Sequence, residues 1–538
     1  MLRDDSLGYN MILKYKKKMT DKRYEFFIVL IVMLITILVR TVGIGTYPGG
    51  INVDEAYSGY EAWSMMNYGT DSWGYHNPVY LTVWGSGMSV LNSLLMMPFI
   101  KIGGLNTVTI RLPQVIIGCI SVYVMYLLLK RIEDRKTALT GMILMAICPW
   151  HIMMSRWGLD CNLAPGFMLF ATYFYIKGLD KQSYLILSAV MWGLSLYCYA
   201  TVWIIVPVLL GVWGVYSLIH KKISLSKELI IACVVLAVIS MPLLLFVGVN
   251  LEIIPEIRST YISIPKLVDF RADEVGLSGI IGNIKAVIKL FISQNDGLIW
   301  NTTSYFGMYY LFSMPFIIVG IINAISNVYK SFKSRTFSYD VLIISWLIIS
   351  LLGGILQGVN ANKMNSIHIP LIILWSKGII WICERSKKYV IIAIASLYII
   401  SFICFEGFYY SDYQNQISVR QGAGAGDAIQ EACRLRGDNS DIKISVTDGI
   451  RHSVLLFYTQ WPTDDYINTV KWQSYPERWL KASEFGCFEW RTDKTILQYS
   501  ENVIYILANE EVTELDENWN IKYFDQYAVA CSSKIKGK

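Results

Sequence analysis

Long runs of apolar residues recur between residues 24 and 407, and they constrain the fold of this chain more than any other feature. Crossing about 30 Å of hydrocarbon takes roughly 20 helical residues, because an α-helix rises about 1.5 Å per residue. Hydrophobic residues make up 54% of the chain, too many for one soluble core of this length. We therefore predict an α-helical polytopic membrane protein with about eleven transmembrane helices. The runs are 24–42, 112–129, 138–154, 163–177, 184–200, 202–219, 229–248, 305–325, 340–357, 367–383 and 389–407.

Basic residues cluster at the ends of these runs and indicate orientation, because Lys and Arg are retained on the cytoplasmic side. The first run follows the basic stretch Lys14–Lys18 and lacks a small-residue cleavage site. It is expected to be an anchor rather than a removed signal peptide, which makes residues 1–23 a cytoplasmic segment. The net charge of +6 is small for 538 residues, so the composition gives no electrostatic case for a nucleic-acid partner.

The segment from Tyr80 to Ile102 decides the orientation of everything that follows it. If this segment crossed the membrane, the later basic loops would all lie on the outer side, against the usual bias. We therefore predict a pair of interfacial or re-entrant helices here, which Gly85, Gly87 and Pro98 favour over one long spanning helix. The transmembrane domain is then expected to cover residues 24–408.

Residues 409–538 are much more polar and are expected to form a small external α/β domain. The stretch Gly422–Gly426 suggests a flexible entry rather than a phosphate-binding loop. Alternating patterns predict helices at 426–436 and 453–459 and extended segments at 442–446, 503–507 and 527–531.

The ten cysteines show no CxxC or Cys/His spacing typical of zinc sites. Six of them fall in apolar runs, where a thiol packs as a small hydrophobic group. One disulfide among Cys433, Cys487 and Cys531 is an open possibility, and the sequence does not indicate which two would pair.

Asp54 and Glu55 lie side by side shortly after the first run, on the predicted outer side. Such a carboxylate pair at the edge of a membrane domain is suited to accept a proton from a hydroxyl group. The alternative is a solvated loop acid without a catalytic role.

Three cations are also expected at the outer face, where positive charge works against the insertion bias. They are Arg111, Arg156 and Lys363. A bound anion such as a lipid phosphate would explain them, because charge-assisted hydrogen bonds to phosphate are strong. The alternative is that each pairs with a nearby acid or extends its side chain to the interface.

Further polar residues near these cations are candidates for lining the same site. Lys363 begins a span beside Asn365 and His368, and Asp160 and Asn162 lie in the second external loop. Carboxylates and imidazole are also suitable ligands for a divalent metal ion. Metal binding is therefore an alternative role for Asp54, Glu55, Asp160 and His76, although no HExxH-like spacing supports it. No other cofactor is indicated.

Several features of the first half together resemble the GT-C superfamily of polyprenyl-phosphate-sugar-dependent glycosyltransferases. They are a cytoplasmic start, Asp54-Glu55 in the first external loop, interfacial helices, Arg111-Leu112-Pro113 opening the second span and an acidic second external loop. The chain is most similar to the protein O-mannosyltransferase and lipid A aminoarabinose transferase group. The resemblance covers about residues 20–410 and is strongest from Gly50 to Asn162.

This resemblance implies roles for individual residues. Asp54 would be the catalytic base with Glu55 beside it, and Asp160 would be the acid of the second external loop. The family's Lys-Pro-Pro stretch corresponds here to His76-Asn77-Pro78, so a titratable histidine replaces the lysine that meets the lipid phosphate. The phosphate ligands would then come from His76 and the three cations Arg111, Arg156 and Lys363.

The implied activity is an inverting transfer of a sugar from a polyprenyl-phosphate donor to an acceptor hydroxyl on a protein, glycan or lipid. The site would face outward from a multi-pass plasma membrane protein, and the isoleucine-rich and lysine-rich composition favours a bacterial cell envelope. A transporter or glycolipid flippase is the main alternative, since polar residues in spans also mark transport paths. A membrane-anchored binding protein would leave the many spans without a purpose.

Overall fold

The computed structural model describes residues 5–276, 279–303, 305–491, 501–515 and 518–535, and it is mostly helical. The outermost residues of the predicted segments 1–23 and 409–538 therefore lie outside the described residues. The helices up to residue 409 are α1 Asp5–Thr41, α2 Val53–Tyr68, α3 Leu91–Gly103, α4 Thr107–Ile132, α5 Arg135–Ile147, α6 Pro149–Met154, α7 Ala164–Gly178, α8 Tyr184–Leu196, α9 Val202–Ile219, α10 Lys227–Asn250, α11 Ile280–Ser293, α12 Met314–Ser334, α13 Tyr339–Gln357, α14 His368–Arg385 and α15 Lys388–Tyr409.

Eight helices of the described chain are long and apolar enough to cross a membrane. They are Lys22–Thr41, Thr107–Ile132, Val202–Ile219, Lys227–Asn250, Leu311–Ser334, Tyr339–Gln357, Asn365–Arg385 and Lys388–Tyr409. Each coincides with a predicted run, which confirms a polytopic helical membrane protein. The predicted count of about eleven spans is higher, because the other three runs fall on shorter helices.

These shorter helices are α5 to α8. The run 138–154 is divided at Pro149, which begins α6, because proline cannot continue a preceding helix. Helices α7 and α8 have 15 and 13 residues. At about 1.5 Å per residue, neither reaches across about 30 Å of hydrocarbon.

The segment from Tyr80 to Ile102 contains one helix rather than the predicted pair. Its first half is a short hairpin of β1 Tyr80–Leu81 and β2 Met88–Ser89, joined by a 3-10 turn at Val83–Gly85. Gly85 and Gly87 have φ values of 71° and 88°, a left-handed backbone that an α-helix excludes. Only α3 is helical, and its 13 residues agree with the prediction that the segment does not cross the membrane.

The part of the chain after α15 forms an α/β domain around a mixed sheet. Its helices are α16 Asp412–Arg420, α17 Ala425–Arg436, α18 His452–Thr459 and α19 Thr463–Thr469. Its strands are β3 Lys443–Val446, β4 Lys471–Trp472, β5 Ala482–Phe485, β6 Phe488–Trp490, β7 Val503–Ala508, β8 Trp519–Phe524 and β9 Tyr527–Ser532. They pair in the order β4-β5-β6-β3-β7-β9-β8, with β3 parallel to both of its neighbours. All five elements predicted here are present.

The glycine stretch at the start of this domain is packed rather than flexible. Gly422 and Gly424 have φ values of 62° and 86°. A Cβ on Gly424 would lie 2.3 Å from the carbonyl oxygen of Phe524. The preceding carbonyl of Gln421 accepts a hydrogen bond of 3.1 Å from the amide of Ile51. The segment therefore fixes the C-terminal domain to the loop before α2.

The C-terminal domain shares a hydrophobic core with the first loop. One cluster of buried side chains combines residues of α2, α3 and the start of α4 with residues of α17, α18 and the sheet, among them Ala56, Tyr60, Met96, Ile110, Ile429, Leu455 and Phe457. The hydroxyl of Tyr60 also donates a hydrogen bond of 2.7 Å to the carbonyl of Trp461. Burying each large apolar side chain contributes about 1.5 to 3 kcal/mol, so this contact stabilises both parts.

All ten cysteines are free thiols in the structure. The disulfide considered among Cys433, Cys487 and Cys531 is therefore not formed.

Candidate active site

A cavity of about 270 Å³ opens where the hairpin of β1 and β2, the loop around Asp160 and the C-terminal domain meet. Its charged lining residues are Asp54, Asp160, Arg271, Glu274 and Lys363. Its aromatic lining residues are Tyr80, Trp84, Tyr199, Trp203, Phe270 and Trp479. The cavity thus combines carboxylates and cations with the apolar surfaces that sugars and lipids require.

Asp54 lies in the first turn of α2 and is held there by two hydrogen bonds. The side chain of Asn52, which caps the helix, accepts a bond of 2.9 Å from the Asp54 amide. The indole Nε1–H of Trp84 donates a bond of 3.0 Å to a carboxylate oxygen of Asp54. Burial raises the pKa of Asp54 above its ordinary value, while the bond from Trp84 and the charge of Arg271 act to lower it. A carboxylate with a raised pKa is a stronger base than an exposed one.

The backbone that brings Trp84 to Asp54 is in an unfavourable conformation. Trp84 has a φ of 57°, which is rare for a bulky residue. Such conformations persist when the surroundings impose them, and they concentrate at functional sites. Here the amide of Leu480 donates a hydrogen bond of 3.0 Å to the Trp84 carbonyl and stabilises the turn.

Asp160 lines the same cavity and is held by backbone amides. The amides of Ser89 and Cys161 donate bonds of 3.2 and 2.7 Å to its two carboxylate oxygens. Burial, followed by the nearby charge of Asp54, raises the pKa of Asp160 to about 7. Two predicted residues that do not line the cavity hold this loop in place: Asn162 donates to the Met154 carbonyl at 3.1 Å and Asn365 to the Cys161 carbonyl at 3.0 Å.

Lys363 and Arg271 supply positive charge to the cavity, and both contact one acid. The Nζ of Lys363 lies 3.0 Å from Glu274 and donates to the carbonyl of Gln357 at 2.9 Å. A guanidinium nitrogen of Arg271 lies 3.6 Å from the same Glu274 carboxylate. The two cations are 25% and 26% exposed, so a ligand in the cavity can reach them. Two cations and one carboxylate give this part of the cavity a net positive charge, which attracts an anionic group such as phosphate.

The structure places Arg111 and Glu55 away from the cavity, contrary to the predicted phosphate and catalytic roles. Both side chains are fully buried, and the guanidinium donates to the two carboxylate oxygens of Glu55 at 2.7 and 2.9 Å. Its remaining donors bind the carbonyls of Ile44, Pro48 and Gly50. All the donors of Arg111 are used, so this pair ties α4 to α2 and its preceding loop.

Arg156, His76 and His368 also lie outside the cavity. Arg156 donates to the carbonyls of Val39, Val42 and Tyr47 and therefore holds the end of α1. His76 bonds the carbonyl of Gly69 at 3.0 Å. His368 is buried, stacked on Trp150 at 4.0 Å and hydrogen-bonded to Tyr309. The contacts of Arg156 and His76 are thus made within the protein, whereas the buried Nε2 of His368 has no hydrogen-bond partner among the described residues.

The acids and His76 considered for a metal are dispersed. Glu55 pairs with Arg111 and His76 lies outside the cavity, which leaves Asp54 and Asp160 together. Within the described ranges, no group of three His, Cys, Asp or Glu side chains is arranged to hold a metal ion.

The sequence interpretation missed Arg271, Trp84 and Trp479. Arg271 had a detectable signal, because it is another cation on the predicted outer side, like Lys363. The sequence carries no comparable signal for the other two residues. The position of Trp84 depends on the turn between β1 and β2, and the position of Trp479 depends on the docking of the C-terminal domain.

An apolar groove between membrane-spanning helices lies next to the cavity. Trp203 lines both the cavity and a groove of about 420 Å³ between α9 and α10. That groove shares Leu210, Cys233 and Leu236 with a further one of about 340 Å³ that extends to Ile223. Apolar grooves between spanning helices therefore lie next to the charged cavity.

Comparisons with known proteins agree with this architecture. Residues 89–246 match the family described as dolichyl-phosphate-mannose-protein mannosyltransferase. No curated protein matches the sequence. Among solved structures, ArnT from Cupriavidus metallidurans bound to undecaprenyl phosphate is similar with a TM-score of 0.56 and 12% identity, over 96% of this chain and 99% of that chain. The oligosaccharyltransferase of Archaeoglobus fulgidus is similar with a TM-score of 0.52 and 13% identity, over 81% of this chain and 64% of that chain.

The chain therefore has the GT-C type of membrane fold with a C-terminal sheet domain, and its predicted resemblance to the polyprenyl-phosphate-sugar-dependent glycosyltransferases of that superfamily is confirmed.

Proposed function

We propose that this protein is an inverting glycosyltransferase that moves a sugar from a polyprenyl-phosphate donor to an acceptor hydroxyl. The observation that carries the proposal is the position of Asp54: its carboxylate lines the cavity, is hydrogen-bonded by Trp84 and lies in the same lining as Lys363 and Arg271. A base and a pair of phosphate-binding cations are the two features that this reaction requires.

Lys363 and Arg271 are suited to hold the donor phosphate, replacing Arg111 and Arg156 in that role. The apolar groove beside Trp203 would hold the polyprenyl chain, because it shares that residue with the cavity and lies between spanning helices. The solved relative from Cupriavidus metallidurans was obtained with undecaprenyl phosphate, a ligand of the same chemistry.

The reaction then follows from this placement. The acceptor oxygen attacks the anomeric carbon from the face opposite the phosphate, and the bond between that carbon and the phosphate oxygen breaks. The phosphate oxygen takes the bonding electron pair, and Asp54 takes the hydroxyl proton. General base catalysis of this kind contributes about 10² to 10⁴ in rate. Positive side chains beside the departing phosphate stabilise the charge that it gains.

Asp160 is assigned a supporting role in this scheme. With a pKa of about 7, its carboxyl is partly protonated near neutral pH, so it is suited to hydrogen-bond a sugar or acceptor hydroxyl rather than to repeat the role of Asp54.

We also propose that the cavity faces outward from a bacterial plasma membrane. The support is the placement of basic residues in the loops around 177–181, 221–227, 330–335 and 385–388, which the usual bias assigns to the cytoplasmic side. Cysteine accessibility in intact cells tests this: a single cysteine at exposed Asp525 should react with an impermeant reagent, and one at exposed Lys222 should not.

Product formation in detergent tests the activity and separates it from transport. Purified protein is incubated with a radiolabelled polyprenyl-phosphate mannose and a mixture of cell-envelope acceptors, and covalent transfer of label is measured. A transporter forms no covalent product, and detergent leaves no sealed compartment across which it could move the donor. Asp54→Asn should fold normally and reduce transfer by at least about 10². Asp525→Asn, a change of the same kind at an exposed acid, should retain transfer. Full activity of Asp54→Asn would remove the base assignment.

A further inference from the structure

The C-terminal domain contributes one segment directly to the catalytic cavity. Trp479 lines the cavity, and the residues on both sides of it are anchored to the membrane domain. Arg478 forms ion pairs with Asp269 and with Asp273, the latter at 2.9 Å. The amide of Leu480 donates a hydrogen bond of 3.0 Å to the carbonyl of Trp84. The position of Trp479 is therefore fixed relative to both walls of the cavity.

Trp479 is exposed and in an unfavourable backbone conformation. Its φ is 62°, in the left-handed region that bulky residues rarely adopt. The residue is 50% exposed, although large apolar groups usually gain by burial. Two unfavourable features at one cavity residue, both imposed by the anchored neighbours, indicate a function for the indole itself.

One side of the Trp479 ring is occupied by the cation that we assign to the donor phosphate. The guanidinium of Arg271 lies 5.0 Å from the ring centre, within the range of a cation–π contact. The sugar of a polyprenyl-phosphate donor is bonded directly to its phosphate. A phosphate bound at Arg271 therefore brings the donor sugar, and not a distant part of the acceptor, next to Trp479.

We propose that Trp479 is the platform on which the donor sugar ring stacks, so that the C-terminal domain takes part in selecting the donor. This inference rests on the proposed function, because it requires a polyprenyl-phosphate sugar in the cavity. The flat indole matches the apolar C–H face of a pyranose ring, while the ring hydroxyls remain free for Asp160 and other polar groups.

A different role for Trp479 would be to position Arg271 only. The two roles differ in which ligand they affect. A platform for the sugar contributes to binding of the glycosylated donor and not to binding of polyprenyl phosphate without a sugar. A support for Arg271 contributes to both ligands equally.

The experiment measures both affinities on the full-length protein in detergent. The probes are polyprenyl phosphate and its mannose, glucose and galactose derivatives, each with the same short polyprenyl chain. Wild type should bind at least one sugar derivative more tightly than the bare phosphate. Trp479→Ala should reduce that preference by about tenfold, the size expected for loss of one aromatic contact. Trp479→Phe, which retains a ring, should keep most of the preference.

The matched control is Tyr523→Ala, which removes another exposed aromatic side chain of the same domain outside the cavity. It should leave both affinities unchanged. If Trp479→Ala weakens both ligands equally, or if wild type shows no preference for any sugar derivative, the platform is overturned and the proposed function stands. If wild type binds no polyprenyl phosphate at all, the proposed function fails and this inference fails with it.

Discussion

The indole nitrogen of Trp84 lies 3.0 Å from a carboxylate oxygen of Asp54, and the hydrogen bond between them stabilises the ionised form of that acid. The base of the proposed reaction is therefore adjusted by two opposing effects. Burial raises the pKa of Asp54, and Trp84 limits that rise. Because the ionised form is the one that accepts a proton, the balance between these effects determines activity on the acidic side.

Trp84→Phe should move the acidic limb of the pH–activity profile to higher pH. Removing a donor to the charged carboxylate raises the pKa of Asp54 further, so more of the base is protonated at a given pH. Activity should therefore fall more on the acidic side of the profile than on the alkaline side. An unchanged limb in a profile of kcat/KM against pH would show that Asp54 is not the titrating base.

Lys363→Ala and Arg271→Ala should each weaken donor use while sparing expression. Each change removes a cation from the cavity, and loss of one charge-assisted contact to phosphate corresponds to about tenfold or more in the donor KM. Lys266→Ala is the matched control, since Lys266 pairs with Glu252 at the surface and does not line the cavity. An unchanged donor KM for Lys363→Ala would return this residue to a purely structural pairing with Glu274.

Glu274→Gln should have the opposite effect and lower the donor KM. Glu274 contacts both Lys363 and Arg271, so a phosphate that binds these cations competes with its negative charge. The amide of glutamine keeps the size of the side chain and removes that competition. The donor KM, measured at constant ionic strength, provides the test. A higher donor KM in Glu274→Gln would mean that the acid orients the cations for binding rather than competing with the phosphate.

Arg111→Ala should reduce stability rather than donor affinity. It leaves the carboxylate of Glu55 buried without its partner, and breaking a buried ion pair in this way costs about 3 to 5 kcal/mol. The measurement is thermal unfolding in detergent, together with the donor KM of the fraction that remains folded. Arg434→Ala removes an exposed cation from Glu431, which keeps Lys522 as a second partner, and it should change stability little. A stable Arg111→Ala protein with an increased donor KM would restore Arg111 as a phosphate ligand.

Much of the architecture could be predicted from local patterns. Spanning helices such as Lys227–Asn250 and C-terminal elements such as α17 and β7 depend on the periodicity and apolar character of their own residues. The three short helices α5, α7 and α8 were harder to recognise. Their apolar character matches that of a span, and only the exact helix ends show that they are too short.

Site residues could be predicted where the adjacent sequence, such as the end of a spanning helix, already marks an acid or a cation as unusual. Asp54, Asp160 and Lys363 were predicted and share one cavity. Arg111 was assigned to the phosphate because a cation on the predicted outer side needs a partner. Arg111 does have such a partner, but it is Glu55, more than fifty residues earlier in the chain. Sequence alone could not decide between an external anion and a distant internal acid.

The hydrophobic core that joins α2 to the C-terminal domain determines how this protein can be recombined with its relatives. A chimera cut at residue 409 would transfer Leu455 and Phe457 without Ala56 and Tyr60, which pack in the same core. The graft would expose apolar surface on both halves and displace the helix that carries Asp54. Moving residues 46–132, which run to the end of α4 and include Ile110, together with the C-terminal domain would keep the core intact. It would also carry Asp54, Trp84 and Trp479 as one inherited unit, separately from the cations Arg271 and Lys363 that remain with the host.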